Sequence, residues 1–317
     1  MDARNQIPAL PIADETNHKT SLKRLVTAFL AGRAESTLRA YRQDLEDFRT
    51  FAEADTLDDA ARLLLAHGHG EANALALAYR AHLAGQGLQA TTVNRRLASL
   101  RSLVALAGTL GLVPWSLEIK NVKVQPYRDT RGPGRSGFRC LLDELSSRKD
   151  DKAIRDRAIL RLLYDLGLRR GEVVSLDLED LDLDKGVLAV RGKGEEQKTM
   201  LTVPDPTREA LCCWVAARGD SPGPLFHNFD RARKGQGRLT GTGVYRIVRD
   251  LGDRAGIKVR PHGLRHTAIT EALDLTNGNV RAVQRFSRHR DLRVVGIYDD
   301  NRQDLAGAVA RLVAGSI

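Results

Sequence analysis

The chain has 317 residues, enough for two domains of ordinary size or one large one, each able to bury a real core. Lysine and arginine together number 50 against 40 acidic residues, a formal charge of +10 with a pI near 9.8, and arginine outnumbers lysine. A phosphate-rich polyanion is the expected partner, nucleic acid ahead of a membrane surface. No run of about 18 apolar residues occurs, and Met1 to Lys19 lack a basic start followed by an apolar stretch, so neither membrane insertion nor secretion is indicated. A cytoplasmic, nucleoid-associated location is expected. Cys140, Cys212 and Cys213 are odd in number and two are adjacent, which suits neither a disulfide framework nor a zinc knuckle, and they are expected as reduced thiols in or beside a core.

In chain order, residues 1–19 carry Pro8, Pro11 and scattered polar groups without periodicity and are expected as a loosely ordered arm. From Thr20 to about residue 113 apolar residues recur at helical spacing. Leu38, Tyr41, Leu45, Phe48 and Phe51 share one helix face, and Val93, Leu97, Leu100, Val104 and Ala107 share another. Ser36 and Thr91 are candidate N-caps, and the whole reads as a bundle of four or five helices. The helix from Thr91 carries Arg95, Arg96 and Arg101 beside its apolar stripe, either as cations laid along a DNA backbone or as a solvated helix face. Between residues 114 and 137 helical periodicity gives way to Lys120, Lys123, Arg128, Arg131, Arg135 and several Gly and Pro residues, which predicts a basic linker.

A second domain is expected over 138–300. Helical patterns at Leu141 to Ser147 and Ile154 to Leu166 lead to Gly167. Alternating stretches at Gly186 to Val190 and Met200 to Val203, around Gly192-Lys193-Gly194, predict a small antiparallel hairpin. Helical patterns return at about 206–217, 241–255, 262–274, 279–286 and 302–314, the last within a tail of residues 301–317. The fold class is therefore mainly α with a small antiparallel β-sheet in the second domain.

The residues with chemical potential lie in that second half. Gly167-Leu168-Arg169-Arg170-Gly171-Glu172 ends one helix and opens another, which fixes Arg169 at a turn. In Pro261-His262-Gly263-Leu264-Arg265-His266 the proline starts a helix, and His262 and Arg265, three apart, share a face and can reach one anion together. His289 and Tyr298 follow, nine residues apart. His67, His69 and His82 lack the cysteine or carboxylate partners of a metal site, and Gly235 to Gly243 lacks the Lys-Ser or Lys-Thr ending of a nucleotide-binding loop. Neither metal nor cofactor is expected.

In this order and spacing, the motifs GLRxxE, a hairpin lysine, HxLRH, a histidine and a tyrosine, the chain resembles the tyrosine recombinase (phage integrase) family over roughly residues 20–305. The resemblance implies a two-domain, C-shaped DNA clamp, with residues 20–113 as the helical core-binding domain and 138–300 as the tyrosine recombinase catalytic fold. It implies that Arg169 and Arg265 hold the non-bridging oxygens of a scissile phosphate, where bidentate donors stabilise the charge of a pentacoordinate transition state. Lys193 then matches the lysine that protonates the departing 5′ hydroxyl, with Lys198 as local competitor, and Tyr298 the nucleophile. His262 accepts a proton or orients a donor, His289 hydrogen-bonds or packs beside the phosphate, and Glu172 orients Arg169. Ser287-Arg288-His289 departs from the family's usual Leu-Gly-His, which suggests added phosphate contacts from Arg288 and Arg293. Arg246 and Arg249, beside Tyr245, are further DNA-contact candidates.

The function so implied is site-specific recombination: cleavage and rejoining of duplex DNA through a 3′-phosphotyrosyl intermediate, by paired strand exchanges through a four-way junction. The partners are double-stranded DNA with specific recombination sites, further copies of the chain as a tetramer, and accessory DNA-bending proteins. The apolar residues Leu305, Val309, Leu312 and Val313 imply a tail helix docking on a neighbouring subunit or on its own domain. Competing readings are a type IB topoisomerase-like enzyme or telomere resolvase, a catalytically inactive DNA-binding relative, and an RNA-binding helical protein with only its charge in favour.

Overall fold

The computed structural model describes residues 25–31, 35–66, 68–124, 132–192, 194–195, 197–229, 237–296, 298 and 305–316. The expected arm over 1–19, His67, linker residues 125–131, Lys193 and residues 231–236 lie outside them. The chain divides into two compact units, Met1–Tyr127 and Arg128–Ile317.

The first unit is a helical bundle: a segment over 25–30, then α1 (Glu35–Phe51), α2 (Leu57–Ala66), α3 (Gly68–Gly85) and α4 (Ala90–Thr109). Leu45 and Phe48 from α1 and Val93, Leu97, Leu100, Val104 and Ala107 from α4 are buried together. The two stripes predicted from spacing thus meet in one core. Phe48 packs edge-on against Tyr79 of α3 at 5.1 Å, and the Tyr79 hydroxyl donates to Asp47 at 2.6 Å. The N-cap expectations shift by one or two residues. α1 already starts at Glu35, before Ser36, and α4 is preceded by Gln89, which makes no side-chain cap, with Thr91 inside the first turn.

The arginines of α4 have partners within the bundle. Arg95 pairs with Asp44 and Arg96 with Asp47, so α4 is clamped to α1 beside the Tyr79 hydroxyl. Arg101 donates to the Ile119 carbonyl at 2.7 Å and to Asn121 Oδ1 at 2.8 Å. The same contacts correct the expected linker. Val113, Leu117 and Ile119 are buried in this unit's core. Asn94 both donates to the Val122 carbonyl, at 2.9 Å, and accepts its N–H, at 2.8 Å. A segment without periodicity reads as a linker from sequence; here side chains on the helices bond to its backbone and hold it against the bundle.

The second unit contains α5 (Gly134–Ser146), α6 (Asp151–Asp165), α7 (Arg170–Ser175), β1 (Leu181–Asp182), β2 (Val187–Arg191), β3 (Lys198–Thr202), α8 (Asp205–Arg218), β4 (His227–Asn228), β5 (Gly237–Arg238), α9 (Gly241–Arg254), α10 (Pro261–Leu275), α11 (Val280–Ser287), α12 (Leu292–Gly296) and α13 (Leu305–Ala314). The predicted hairpin is β2–β3, with Val187 opposite Thr202 and Arg191 opposite Lys198. β1 adds a third antiparallel strand through Leu181 opposite Leu188, and β4 pairs with β5; β1, β4 and β5 escape sequence reading because each has only two residues. α5 begins four residues before the expected domain start at 138, because Gly134 sits at a positive φ of 69 and turns the chain into the helix. α6 is the central helix, capped by Asp150 accepting the Ala153 N–H at 3.1 Å, with Ile159, Leu160, Leu162 and Leu163 all fully buried. Trp214 of α8 packs into the same core and donates its indole N–H to the Leu225 carbonyl at 2.8 Å. Cys140, Cys212 and Cys213 are all exposed, on outward faces of α5 and α8, which corrects their expected place in or beside the core. No helix among the described residues is long and apolar enough to cross a membrane.

The pairing of Arg96, whose side chain is 14% exposed, generates a test. Arg96→Met leaves Asp47 with the Tyr79 hydroxyl alone and is expected to destabilise the first unit by about 2 kcal/mol, less than a fully buried broken pair. Urea unfolding followed by tryptophan fluorescence and far-UV circular dichroism measures it; an unchanged midpoint would mean that the arginine is merely solvated.

Candidate active site

The site is built on the turn between α6 and α7. Gly167 has φ of 54, and a Cβ there would meet the Phe286 ring at 3.3 Å, so conformation and space both favour glycine. Leu168 is fully buried and anchors the turn. Arg169 follows in extended conformation as the residue preceding α7. Its backbone N–H donates to Glu172 Oε2 at 2.9 Å and its Nη1 to Glu172 Oε1 at 2.7 Å, while Nη2 reaches the Arg288 carbonyl at 3.3 Å. Glu172 is 4% exposed in the first turn of α7, where a carboxylate suits the helix dipole. Burial works to raise its pKa, but the Arg288 charge and the hydrogen bonds and charge of Arg169 outweigh it and hold the carboxyl below its usual range.

Pro261 occupies the first turn of α10 after Arg260, as the sequence predicts. α10 runs through the interior and is buried around most of its circumference, and Arg265 is 1% exposed. Its Nη1 donates to the Gly167 carbonyl and its Nη2 to the Ser287 carbonyl. Nη2 also lies 3.2 Å from His289 Nε2. A guanidinium only donates, so Nε2 must accept, which places the ring proton on Nδ1, 2.9 Å from Ser287 Oγ. Burial, then the neighbouring Arg169 and Arg288, push the Arg265 pKa down to about 10, still far above neutrality. Burial, then Arg265, Arg169, Arg288 and His262, push His289 down to about 4. His262 is lowered from 6.5 by burial and by the Arg265 and Arg169 charges. At neutral pH the site therefore combines fixed guanidinium charge with neutral imidazoles able to accept a proton or a hydrogen bond.

Arg169, His262, Arg265 and His289 line one basin of about 430 Å³. The basin also takes in Arg170, Tyr245 and Arg260, which sequence reasoning did not place there. Arg170 and Arg260 flank residues already singled out, but nothing in local spacing signals that α9 delivers Tyr245 to the same place. The Tyr298 ring is 6% exposed and sits 4.7 Å from the His266 ring and 5.5 Å from the His289 ring. Thr270 Oγ1 donates to the Tyr298 carbonyl at 3.4 Å, and Ile269, Leu273, Val283 and Val295 complete the surrounding apolar group.

Other expected site residues fall elsewhere. Lys198 pairs with Asp180 at the start of β3, which ties down the competitor of Lys193. Arg246 and Arg249 are exposed on α9, the latter 3.6 Å from Asp253. Arg293 is exposed and pairs with Asp291 at 2.9 Å. Arg288, expected to face DNA, turns inward instead: its side chain is 12% exposed and pairs with Glu172 at 3.0 Å, where that carboxylate and the carbonyls at the end of α6 offer a charge complement.

The depressed imidazoles predict an acid-sensitive fold. Between pH 6.5 and 4 the unfolded chain binds a proton at His289 that the folded chain does not, so stability is fully present above 6.5 and falls as pH drops toward 4. Because the ring remains partly in contact with water, the expected loss is about 1 kcal/mol, well below what the full shift would give. Thermal unfolding midpoints across that range should fall less for His289→Asn than for the parent; parallel curves would remove His289 as the source.

The geometry can be set beside known proteins. The Phage integrase family model matches residues 139–304, and the Phage integrase N-terminal SAM-like domain model matches residues 27–108. A tyrosine recombinase of Synechocystis sp. is 38% identical, covering 89% of this chain and 91% of the relative. One of Synechococcus elongatus is 39% identical, covering 87% and 88%. Among solved structures, the Tn1549 transposon integrase in complex with transposon right end DNA superposes with a TM-score of 0.67 at 17% identity, covering 94% of this chain and 99% of that one, a likeness of fold. With two family models spanning both units and relatives similar over nearly their whole length, the chain belongs to the tyrosine recombinase (phage integrase) family.

Proposed function

We propose that this chain is a site-specific DNA recombinase that cleaves and rejoins duplex DNA through a phosphotyrosyl intermediate at Tyr298. The observation that carries the reading is the convergence of Arg169, His262, Arg265 and His289, from three separate stretches of sequence, on one basin, with the Tyr298 ring packed against His289. Arg169 and Arg265 hold the non-bridging oxygens of the scissile phosphate, and their gain is largest where the transition state gathers negative charge. Lysine would serve such a bidentate site poorly. The Tyr298 oxygen attacks phosphorus, its proton passing to His262, while the 5′ oxygen leaves with a proton from Lys193. Attack by another strand's 5′ hydroxyl reverses these steps and reseals the backbone, so no external energy source is consumed. Glu172 orients Arg169, and the nearly buried Tyr298 ring shifts out of its apolar surroundings to reach the phosphate.

In this reading the first unit is the core-binding domain, the second the catalytic domain, and the duplex carries specific recombination sites. The charge of +10 supports binding dominated by phosphate contacts, weakening steeply with salt. Arg246 and Arg249 on α9 and the exposed part of Arg95 on α4 are the surfaces assigned to DNA; Arg96 and Arg101 act chiefly within the bundle. Exchange proceeds by strand pairs through a four-way junction in a tetramer, with DNA-bending proteins as accessories. Val309, Leu312 and Val313 of α13 are exposed. On the same unit a groove of about 750 Å³ combines apolar Phe138, Tyr164, Leu275 and Phe286 with charged residues including Arg139, Arg157, Arg161 and Glu271, and in this reading it receives the tail helix of a neighbouring copy.

Two experiments test this. A duplex from sequence flanking the gene, nicked just beyond the scissile phosphate and incubated without metal or ATP, should yield a covalent protein–DNA adduct on a denaturing gel that Tyr298→Phe abolishes. Tight binding with no adduct across the flanking DNA would make the chain a binder. Deleting residues after Asn301 should remove cooperative assembly on paired sites while leaving single-site binding within about twofold, the small change expected when no DNA contact is lost; unchanged cooperativity would mean that the tail docks on its own domain.

A further inference from the structure

Arg288 ends α11 in the left-handed region, at φ of 54, a conformation that favours glycine. An L side chain is disfavoured there, so its contacts must offset the backbone. They are extensive. Nη1 donates to the Leu166 carbonyl at 3.2 Å and the Phe286 carbonyl at 3.0 Å, and Nη2 to the Gly167 carbonyl at 3.3 Å and Glu172 Oε2 at 3.0 Å. The guanidinium therefore bridges the C-terminal ends of α6 and α11, where unpaired carbonyls concentrate negative partial charge.

Two connections link these contacts to the basin. Glu172 Oε1 holds Arg169 Nη1 while Oε2 holds Arg288 Nη2, so one carboxylate is shared between an inward and a basin-facing arginine. The Arg288 carbonyl accepts from Arg169 Nη2, and the preceding Ser287 carbonyl accepts from Arg265 Nη2. Placement of the 287–289 segment thus sets where both clamp arginines point. The charges matter too: the four linked groups Arg169, Arg265, Arg288 and Glu172 sum to +2, and without Arg288 they sum to +1 with the whole carboxylate bearing on Arg169.

We propose that Arg288 is a positioning residue for the phosphate clamp: by taking a share of Glu172 and stitching the 287–289 segment to the 166–169 turn, it aims Arg169 into the basin and keeps its charge available to an anion. This rests on the reading that Arg169 and Arg265 hold a phosphate. Arg288 itself does not touch the substrate. Its guanidinium works through the carboxylate and two helix ends, which a residue recruited for DNA contact would not do.

The test uses the full chain labelled with ¹⁵N-arginine, following arginine side-chain Nε–Hε signals, with inorganic phosphate as the probe and Arg169→Lys to assign the Arg169 signal. Arg288→Met should move the Arg169 signal in the phosphate-free protein and weaken phosphate binding about tenfold, the size of effect that losing one close charge brings. Arg288→Lys, which restores the charge without the carbonyl contacts, should recover part of that affinity; a purely packing role would leave Lys no better than Met. If Arg288→Met does not unfold cooperatively, Arg288→Gly, suited to the backbone, is read the same way. An unmoved Arg169 signal in the folded variants overturns the proposal. Should the parent show no response of Arg169 or Arg265 to phosphate, the clamp reading fails, while the phosphate-free signal still decides whether Arg288 positions Arg169.

Discussion

Arg265 carries a full charge into the interior of the second unit, and the fold around it is arranged to make that tolerable. Its guanidinium is met by the Gly167 and Ser287 carbonyls, both at helix C-terminal ends, and by a histidine nitrogen. A buried cation without such partners would cost several kcal/mol. Satisfying it requires α6 to end just before Gly167, α11 to end at Ser287 and α10 to present Arg265 between them. Residues as far as 122 apart in sequence are thereby brought to one point, and the basin is the open side of that arrangement.

The same concentration of positive charge governs the histidines. Beside Arg265 and Arg169, and for His289 also Arg288, an imidazole does not readily take on a further positive charge, so burial and repulsion together keep His262 and His289 neutral. Neutrality is what a proton acceptor at physiological pH needs, and the Arg265 contact fixes the tautomer of His289. Glu172 supplies the counter-charge from beneath, buried and held ionised by two arginines. In the proposed reading, a phosphate would meet guanidinium groups already fixed by the surrounding carbonyls and carboxylate.

The helical unit solves a different problem with similar parts. Arg95, Arg96 and Arg101 on α4 pair inward with Asp44, Asp47 and the backbone of the segment after α4. A basic helix face thus serves partly as a clamp for its own unit. The overall charge of the chain overstates how much of its arginine is available to a partner.

The sequence by itself determined the fold class, the bundle stripes of α1 and α4, the β2–β3 hairpin and the positions of Arg169, Glu172, His262, Arg265, His289 and Tyr298 as the residues to watch. The helices, the hairpin and the settings of Arg169 and His262 are local, written by helical spacing, a proline and a glycine within a few residues of where they act, whereas His289 and Tyr298 stand out through the order of motifs that carries the family resemblance. Only the tertiary structure decided the direction of a long side chain. Arg288 and Arg246 look alike in sequence, yet one is drawn onto Glu172 and the carbonyls of two helix ends while the other stays exposed. The order in residues 113–122 was hidden for the same reason, since Asn94 and Arg101, not any pattern within the segment, hold it in place. Tyr245 reaches the basin only because α9 packs beside α7 and α10. Spacing along the chain encodes which face a residue occupies; what that face meets depends on partners distant in sequence, and a guanidinium on a flexible stem goes wherever they place the complementary charge.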